Sequence, residues 1–127
     1  MKKPTLANLK KKLDATFSRW VRQRGADEGG TNTCVTCGRL AHISELHAGH
    51  YYSRRYTAVR WHELNVWPQC PRCNIFMSGN YPAYARFLLN TIGQSAMEEL
   101  DYLHRQTTKL TRSDLEAMIQ KYEGDIG

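Results

Sequence analysis

The sequence predicts a small α+β domain: a basic amphipathic helix first, a cysteine-clasped centre of short strands next, and a helical tail. Three observations carry that expectation. Two C-x-x-C pairs stand 32 residues apart. Helical periodicity is confined to the two ends of the chain. Between the pairs, short runs rich in Tyr, Arg, Val and Trp have the composition of strands. At 127 residues and 14.7 kDa, the chain fits one domain spanning 1–127.

Leu6, Leu9, Leu13, Phe17, Trp20 and Val21 recur at spacings of three and four, which places one apolar stripe on a helix within residues 1–24. Pro4 or Thr5 suits its first turn and Gly25 stops it, while the lysines take the opposite face. Residues 26–32, with Asp27, Glu28, Gly29 and Gly30, read as a flexible linker. From Thr33 to Asn80 no helical period appears until after Cys73. A helix is expected over Tyr81 to Ile92 with Gly93 as its C-terminal cap. A second runs from Ser95 to about His104 through Met97, Leu100 and Leu103. A third starts at Ser113, where Ser113-Asp114-Leu115-Glu116 reads as a capping box and Leu115, Met118, Ile119 and Tyr122 turn inward. The parts are a basic helix (1–24), a clasped core (33–93) and a tail (94–127).

Composition narrows the function. No apolar run approaches the ~18 residues of a membrane span. Met1 to Leu6 is basic without an apolar stretch behind it, so a signal peptide is not expected. Lys and Arg number 18 against 12 Asp and Glu, a formal +6, and the excess is uneven. Residues 1–24 hold eight basic side chains against Asp14 alone, and residues 50–86 hold five against Glu63 alone. A basic first half points to a polyanion, most simply a phosphate backbone, with a solvated basic face as the plainer alternative.

All four cysteines fall in the pairs Cys34-Val35-Thr36-Cys37 and Cys70-Pro71-Arg72-Cys73. Each C-x-x-C turn points two sulfurs at one place, and two such turns complete a closed tetrahedral Zn²⁺ site. Two disulfides fit poorly with a chain lacking an export signal, and a redox pair lacks the βαβ pattern that usually carries it. The expected zinc is structural.

Between the clasps run His47-Ala48-Gly49-His50-Tyr51-Tyr52-Ser53-Arg54-Arg55 and Arg60-Trp61-His62-Glu63-Leu64-Asn65, with Asn74 abutting the last cysteine and Ser78-Gly79-Asn80 beyond. This order resembles the HNH, or ββα-metal, nucleases in their zinc-clasped form. More narrowly, Ala48-Gly49-His50-Tyr51, Glu63-Leu64-Asn65 and Cys70-x-x-Cys73-Asn74 through Ser78-Gly79-Asn80 resemble the phage NinG (Rap) recombination endonucleases.

The resemblance implies a metal-dependent DNA endonuclease that leaves 5′-phosphate ends, acting on branched recombination intermediates such as Holliday junctions and D-loops. His50 takes the position of the general base, since an imidazole near neutrality can accept a proton from attacking water. Asn65 takes a positional role across the hairpin, and Asn74 supplies an oxygen to a catalytic Mg²⁺ or Mn²⁺. Many HNH proteins carry Asp or His as a ligand where Gly49 stands, so His47 is the substitute ligand if the strand bulges at Ala48-Gly49. Ser78 is a weaker candidate ligand on the same helix, and Asn80 is expected to cap or turn the chain. Arg54 is the candidate phosphate clamp. Lys10, Lys11, Lys12, Arg54, Arg55 and Arg60 are the candidate DNA contacts. Tyr51, Tyr52, Trp61 and Trp67, interleaved with arginines, are candidates to stack on unpaired bases, with Trp61 and Trp67 as core in the plainer reading. Paired nicks imply a homodimer, and the phage resemblance implies action in the bacterial host cytoplasm. The competing reading is a non-catalytic, zinc-stabilised DNA-binding module; a structural interaction domain is a third.

Overall fold

Helix α1 (Leu6–Gln23) opens the chain in a computed structural model that describes residues 2–126. Thr5 caps it by accepting the Asn8 N–H at 3.1 Å, satisfying one of the helix's free donors. Its apolar stripe, Leu9, Leu13, Phe17 and Val21, is buried. That stripe meets Leu115, Ile119 and Tyr122 of the last helix, α5 (Arg112–Ile126), together with Trp61 and Val66 from the centre. The basic helix is therefore a wall of the main core, shared with the tail.

The expected linker is an ordered turn. Asp27 accepts the Thr31 N–H at 2.8 Å, and buried Asn32 donates to the Arg22 and Arg24 carbonyls, each at 2.9 Å. Polar residues here satisfy backbone groups and do not simply face water. β1 (Thr31–Thr33) pairs antiparallel with β2 (Leu40–His42), and a short 3-10 turn over Ile43–Glu45 leads on. β3 (His47–His50) and β4 (Val66–Gln69) form a second antiparallel pair, with His47 opposite Gln69 and His50 opposite Val66. The pairing is regular through Ala48 and Gly49, so the expected bulge is absent. Their connection contains a one-turn helix, α2 (Thr57–Arg60), that no periodicity announced.

After β4 comes one π-helical turn, Arg72–Phe76, and then α3 (Tyr81–Thr91). α4 (Gly93–His104) follows directly and starts two residues before the expected Ser95. Gly93 has φ +84, which lets the chain change direction between the two helices. The capping box of α5 is Thr111 with Asp114. The Thr111 hydroxyl accepts the Asp114 N–H at 3.1 Å, and the Asp114 carboxylate accepts the Thr111 N–H at 2.8 Å. Ser113 lies inside the helix. Among the described residues, no helix is long and apolar enough to cross a membrane.

Two polar contacts tie these elements together. Asp14 on α1 accepts from the Arg60 guanidinium through both carboxylate oxygens, with Nε at 3.0 Å, and from the Trp61 indole N–H at 3.0 Å. Gln69 is fully buried, and its amide N–H groups donate to the Thr36 hydroxyl at 3.1 Å and the Gly79 carbonyl at 2.9 Å.

A Cβ on Gly49 would stand 1.9 Å from Gln69 Oε1, and Gln69 cannot move aside without losing both bonds. Gly49→Ala is expected to cost about 1–3 kcal/mol in a urea melt. The Gly49→Ala/Gln69→Ala double variant should cost less than the sum of the single changes, because the two positions share one space. Asp14→Ala leaves the Arg60 and Trp61 donors without their acceptor and is expected to lose about 2 kcal/mol in the same assay.

Candidate metal centre and adjoining cleft

The four cysteines converge. Among the described residues they form one group whose ligand atoms all lie within 4.8 Å of one another, with Cys37 and Cys70 sulfurs 3.7 Å apart. A tetrahedral four-sulfur site with bonds of about 2.3 Å needs sulfurs about 3.8 Å apart, so the cluster fits a zinc ion. All four are free of disulfides. Each pair is held by its own turn: Gly38 N–H donates to the Cys34 carbonyl at 2.8 Å, and Asn74 N–H donates to the Cys70 carbonyl at 3.0 Å. Burial raises the Cys34 thiol, but hydrogen bonds from Thr36 and from neighbouring backbone outweigh it and bring the pKa down to about 6. Burial instead pushes the Cys37 thiol up to about 12 and raises that of Cys70, so thiolate character, the ligating form, is concentrated on Cys34. Asn80, in a left-handed conformation (φ +50) just before α3, donates its amide toward Cys73 Sγ at 3.5 Å. It turns the chain and also supports a ligand sulfur.

Beside the clasp, two adjoining clefts of about 230 and 280 Å³ share Ala48, His50 and Arg54. The first also takes in Asp14, Arg22, His47 and Arg60, and the second takes in Ser53, Asn74 and Tyr81. His50 Nε2 lies 2.8 Å from the Arg60 carbonyl. A carbonyl only accepts, so in the neutral ring Nε2 carries the proton and Nδ1 is the basic nitrogen. Burial, the largest influence, pushes the His50 pKa below its usual value, and Arg54 adds to this. The Arg60 carbonyl, Asp14 and the Ala48 backbone oppose it. His50 is therefore neutral at pH 7.

His47 and Asn74 meet, with Asn74 Nδ2 and His47 Nδ1 3.0 Å apart. The amide's oxygen and nitrogen exchange places by a half-turn, so the same pair can present Asn74 Oδ1 and a histidine nitrogen to a cation. Ser78, with φ +48, is exposed on the turn after the π-helical segment and lines neither cleft. It does not join Asn74, because the helix expected to carry both ends at Phe76.

Asn65 is fully buried in the β3–β4 connection. Its amide donates to the Tyr52 carbonyl at 3.0 Å and the Val59 carbonyl at 2.9 Å, and its Oδ1 accepts the Tyr52 N–H at 2.9 Å. It thus fixes the segment between His50 and Arg60 from inside.

The basic residues divide. Lys11 and Lys12 are exposed and Lys10 is half-buried, with Lys12 3.6 Å from Glu123. Arg54 is exposed and 3.3 Å from Asp14, and Arg55 is exposed near the Tyr56 ring. Arg60 is instead turned inward onto Asp14, so its side chain is a structural partner where a DNA contact was expected. Arg24 is also drawn in. It donates to the Glu63 carbonyl at 2.8 Å and the Val66 carbonyl at 2.6 Å, and its guanidinium lies 3.7 Å from the Trp67 ring centre. The remaining histidines serve turns and caps: His42 bonds Ser44, His62 accepts the Leu64 N–H, and His104 bonds the Asp101 carbonyl. Asp14 and Gln69 are structural members of this region that no sequence motif marks.

The family model described as Bacteriophage Lambda NinG protein matches residues 2–127. The chain is 32% identical to Protein ninG of Escherichia phage 933W over 117 residues, covering 89% of this chain and 54% of that protein. It is 33% identical to Protein ninG of Escherichia phage lambda over 100 residues, covering 76% and 45% respectively. With Protein ninG of Salmonella phage P22 it shares 30% identity over 117 residues, covering 89% and 53%. The chain thus spans about half the length of the curated relatives it matches. No solved structure matches it. With a match that runs from residue 2 to residue 127, the chain belongs to the bacteriophage NinG family.

Proposed function

We propose that this chain is a metal-dependent DNA endonuclease of the HNH, ββα-metal type, with His50 as general base. The observation that carries the reading is the His50 ring, which lines both clefts and, with Nε2 held by the Arg60 carbonyl, has Nδ1 as its basic nitrogen. The reading is supported by the element order, a strand pair β3–β4 followed by the helical turn that carries Asn74.

In this reading His50 Nδ1 takes the proton from the attacking water as the water's oxygen bonds to phosphorus. Asn65 keeps the His50-to-Arg60 segment in place, and through it the carbonyl that fixes the tautomer. Asn74 and His47 would hold a Mg²⁺ or Mn²⁺ ion, which would supply positive charge to the phosphate and the leaving 3′ oxygen. Arg54, paired with Asp14 only at an exposed 3.3 Å, is free to exchange that contact for a phosphate. Lys11, Lys12 and Arg55 add charge for the rest of the backbone. Zn²⁺ in the four-cysteine site holds the frame and takes no part in the chemistry. Branched recombination intermediates are the proposed substrates, cut as paired nicks by two copies of the chain acting as a homodimer.

The deciding experiment is cleavage of a labelled four-way junction and a matched linear duplex by wild type and His50→Ala, with Mg²⁺, Mn²⁺ or no added divalent ion. Divalent-dependent cutting is expected, and His50→Ala should lower it about 10²- to 10⁴-fold without loss of binding. Tight binding with no cutting under any metal would leave only the non-catalytic DNA-binding module. Because the base must be neutral and its pKa is depressed, the cleavage rate should stay level on acidification and fall only below about pH 6.5. A decline beginning above neutrality would rule out His50 as the titrating base. Metal analysis of the purified protein should find about one zinc per chain. Cys37→Ser or a strong chelator should lower the melting temperature, whereas removing Mg²⁺ should not.

A further inference from the structure

The aromatic side chains expected to meet bases are engaged elsewhere. Trp61 is 5% exposed, Trp67 is wedged between Arg24 and Phe87, and Tyr52 lies flat on His104 at 4.0 Å. Among the described residues the most exposed aromatic is Phe76, 82% exposed, between Ile75 at 57% and Met77 at 43%; Tyr102 follows at 58%. Three successive apolar side chains facing water are unusual, and they are not on a loose loop. Met77 N–H donates to the Arg72 carbonyl at 2.8 Å, and Gly79 N–H donates to the Cys73 carbonyl at 2.8 Å. The π-helical turn that presents Phe76 therefore begins at the cysteine clasp. The same turn carries Asn74, whose amide meets His47 and lines the cleft two residues earlier. Arg39 and Arg72 are exposed, and with Phe76 they border a groove of about 350 Å³ that also includes Glu45.

We infer that Phe76 is a stacking platform for an unpaired base of the nucleic-acid strand whose phosphate occupies the cleft, with Arg72 on a neighbouring phosphate. The inference rests on the endonuclease reading and gives that site its substrate preference. A nucleotide offers an apolar ring face beside an anionic phosphate, which matches an apolar knob flanked by guanidinium groups. A protein's apolar patch would match the knob but not the arginines. In matched duplex the ring faces are already covered by their neighbours, whereas at a branch or gap one is available. Phe76 therefore favours branched over continuous DNA.

The test is binding, measured by fluorescence anisotropy without added divalent ion, so that the strand is not cut and the clasp keeps its metal. The two probes are a duplex bearing a single-stranded branch, with 2-aminopurine at the branch point, and a matched duplex of equal length. Phe76→Ala is expected to weaken branched-DNA binding about tenfold, to change duplex binding less than about twofold, and to leave the salt slope alone. Phe76→Trp should retain branched-DNA affinity. Arg72→Gln should weaken both probes and reduce the salt slope. Wild type should quench the 2-aminopurine and Phe76→Ala should not. Equal loss on both probes, or loss on neither, would overturn the inference. So would conversion of a dimer to a monomer by Phe76→Ala at unchanged DNA affinity, which would make a second copy the occupant. Wild type that cuts DNA with no Phe76 effect removes this inference alone. Stacking without cutting under any divalent ion removes the endonuclease reading alone.

Discussion

Bringing four sulfurs within 4.8 Å of one another is the constraint from which the rest of the centre follows. Cys70 comes directly after Gln69, the last residue of β4, and Cys73 directly precedes Asn74. Once the clasp is closed, the end of the hairpin and the start of the π-helical turn have little freedom left. The side chains of His47 and Asn74 are then delivered to the same place. A long intervening loop is entropically costly to close by side-chain packing alone, and a zinc ion, which these four sulfurs fit, would remove much of that cost.

Inside this frame, polar side chains do work that a larger protein would leave to apolar packing. Asn32, Asn65 and Gln69 are buried: Asn32 holds the end of α1 through the Arg22 and Arg24 carbonyls, while Asn65 and Gln69 each bond two separate stretches of chain. The segment from Tyr51 to Leu64 has little regular structure of its own, so Asn65 supplies partners that a strand or long helix would otherwise provide. Gln69 explains Gly49. The space that a ligand side chain would need at that position is filled by the Gln69 amide, so a carboxylate or imidazole there is sterically excluded.

Local patterns were legible in the sequence and long-range ones were not. The stripe on α1, the two C-x-x-C turns and α3 can be read because their signals repeat within a few residues. The linker reading failed because Asp27 and Asn32 look solvent-seeking until their backbone partners are known. Both Thr111-x-x-Asp114 and Ser113-x-x-Glu116 satisfy the capping pattern, and only the structure selects the first. The sign of the charge was legible but its direction was not: Arg24 and Arg60 count as cations in any composition, yet both point inward. His50, Asn65, His47 and Asn74 could be singled out through the resemblance. Asp14, Gln69 and Phe76 could not, since their roles depend on neighbours far along the chain or on having none.

The union of α1 with α5 in one core also sets an order of events during synthesis. The apolar stripe of α1 emerges from the ribosome before its main partner, which follows about a hundred residues later. Until Leu115, Ile119 and Tyr122 arrive, α1 is a basic amphipathic helix with an uncovered face, the kind of segment that chaperones and polyanions bind. This core therefore closes only after α5 has been made, and a chain stalled before it leaves the α1 stripe uncovered.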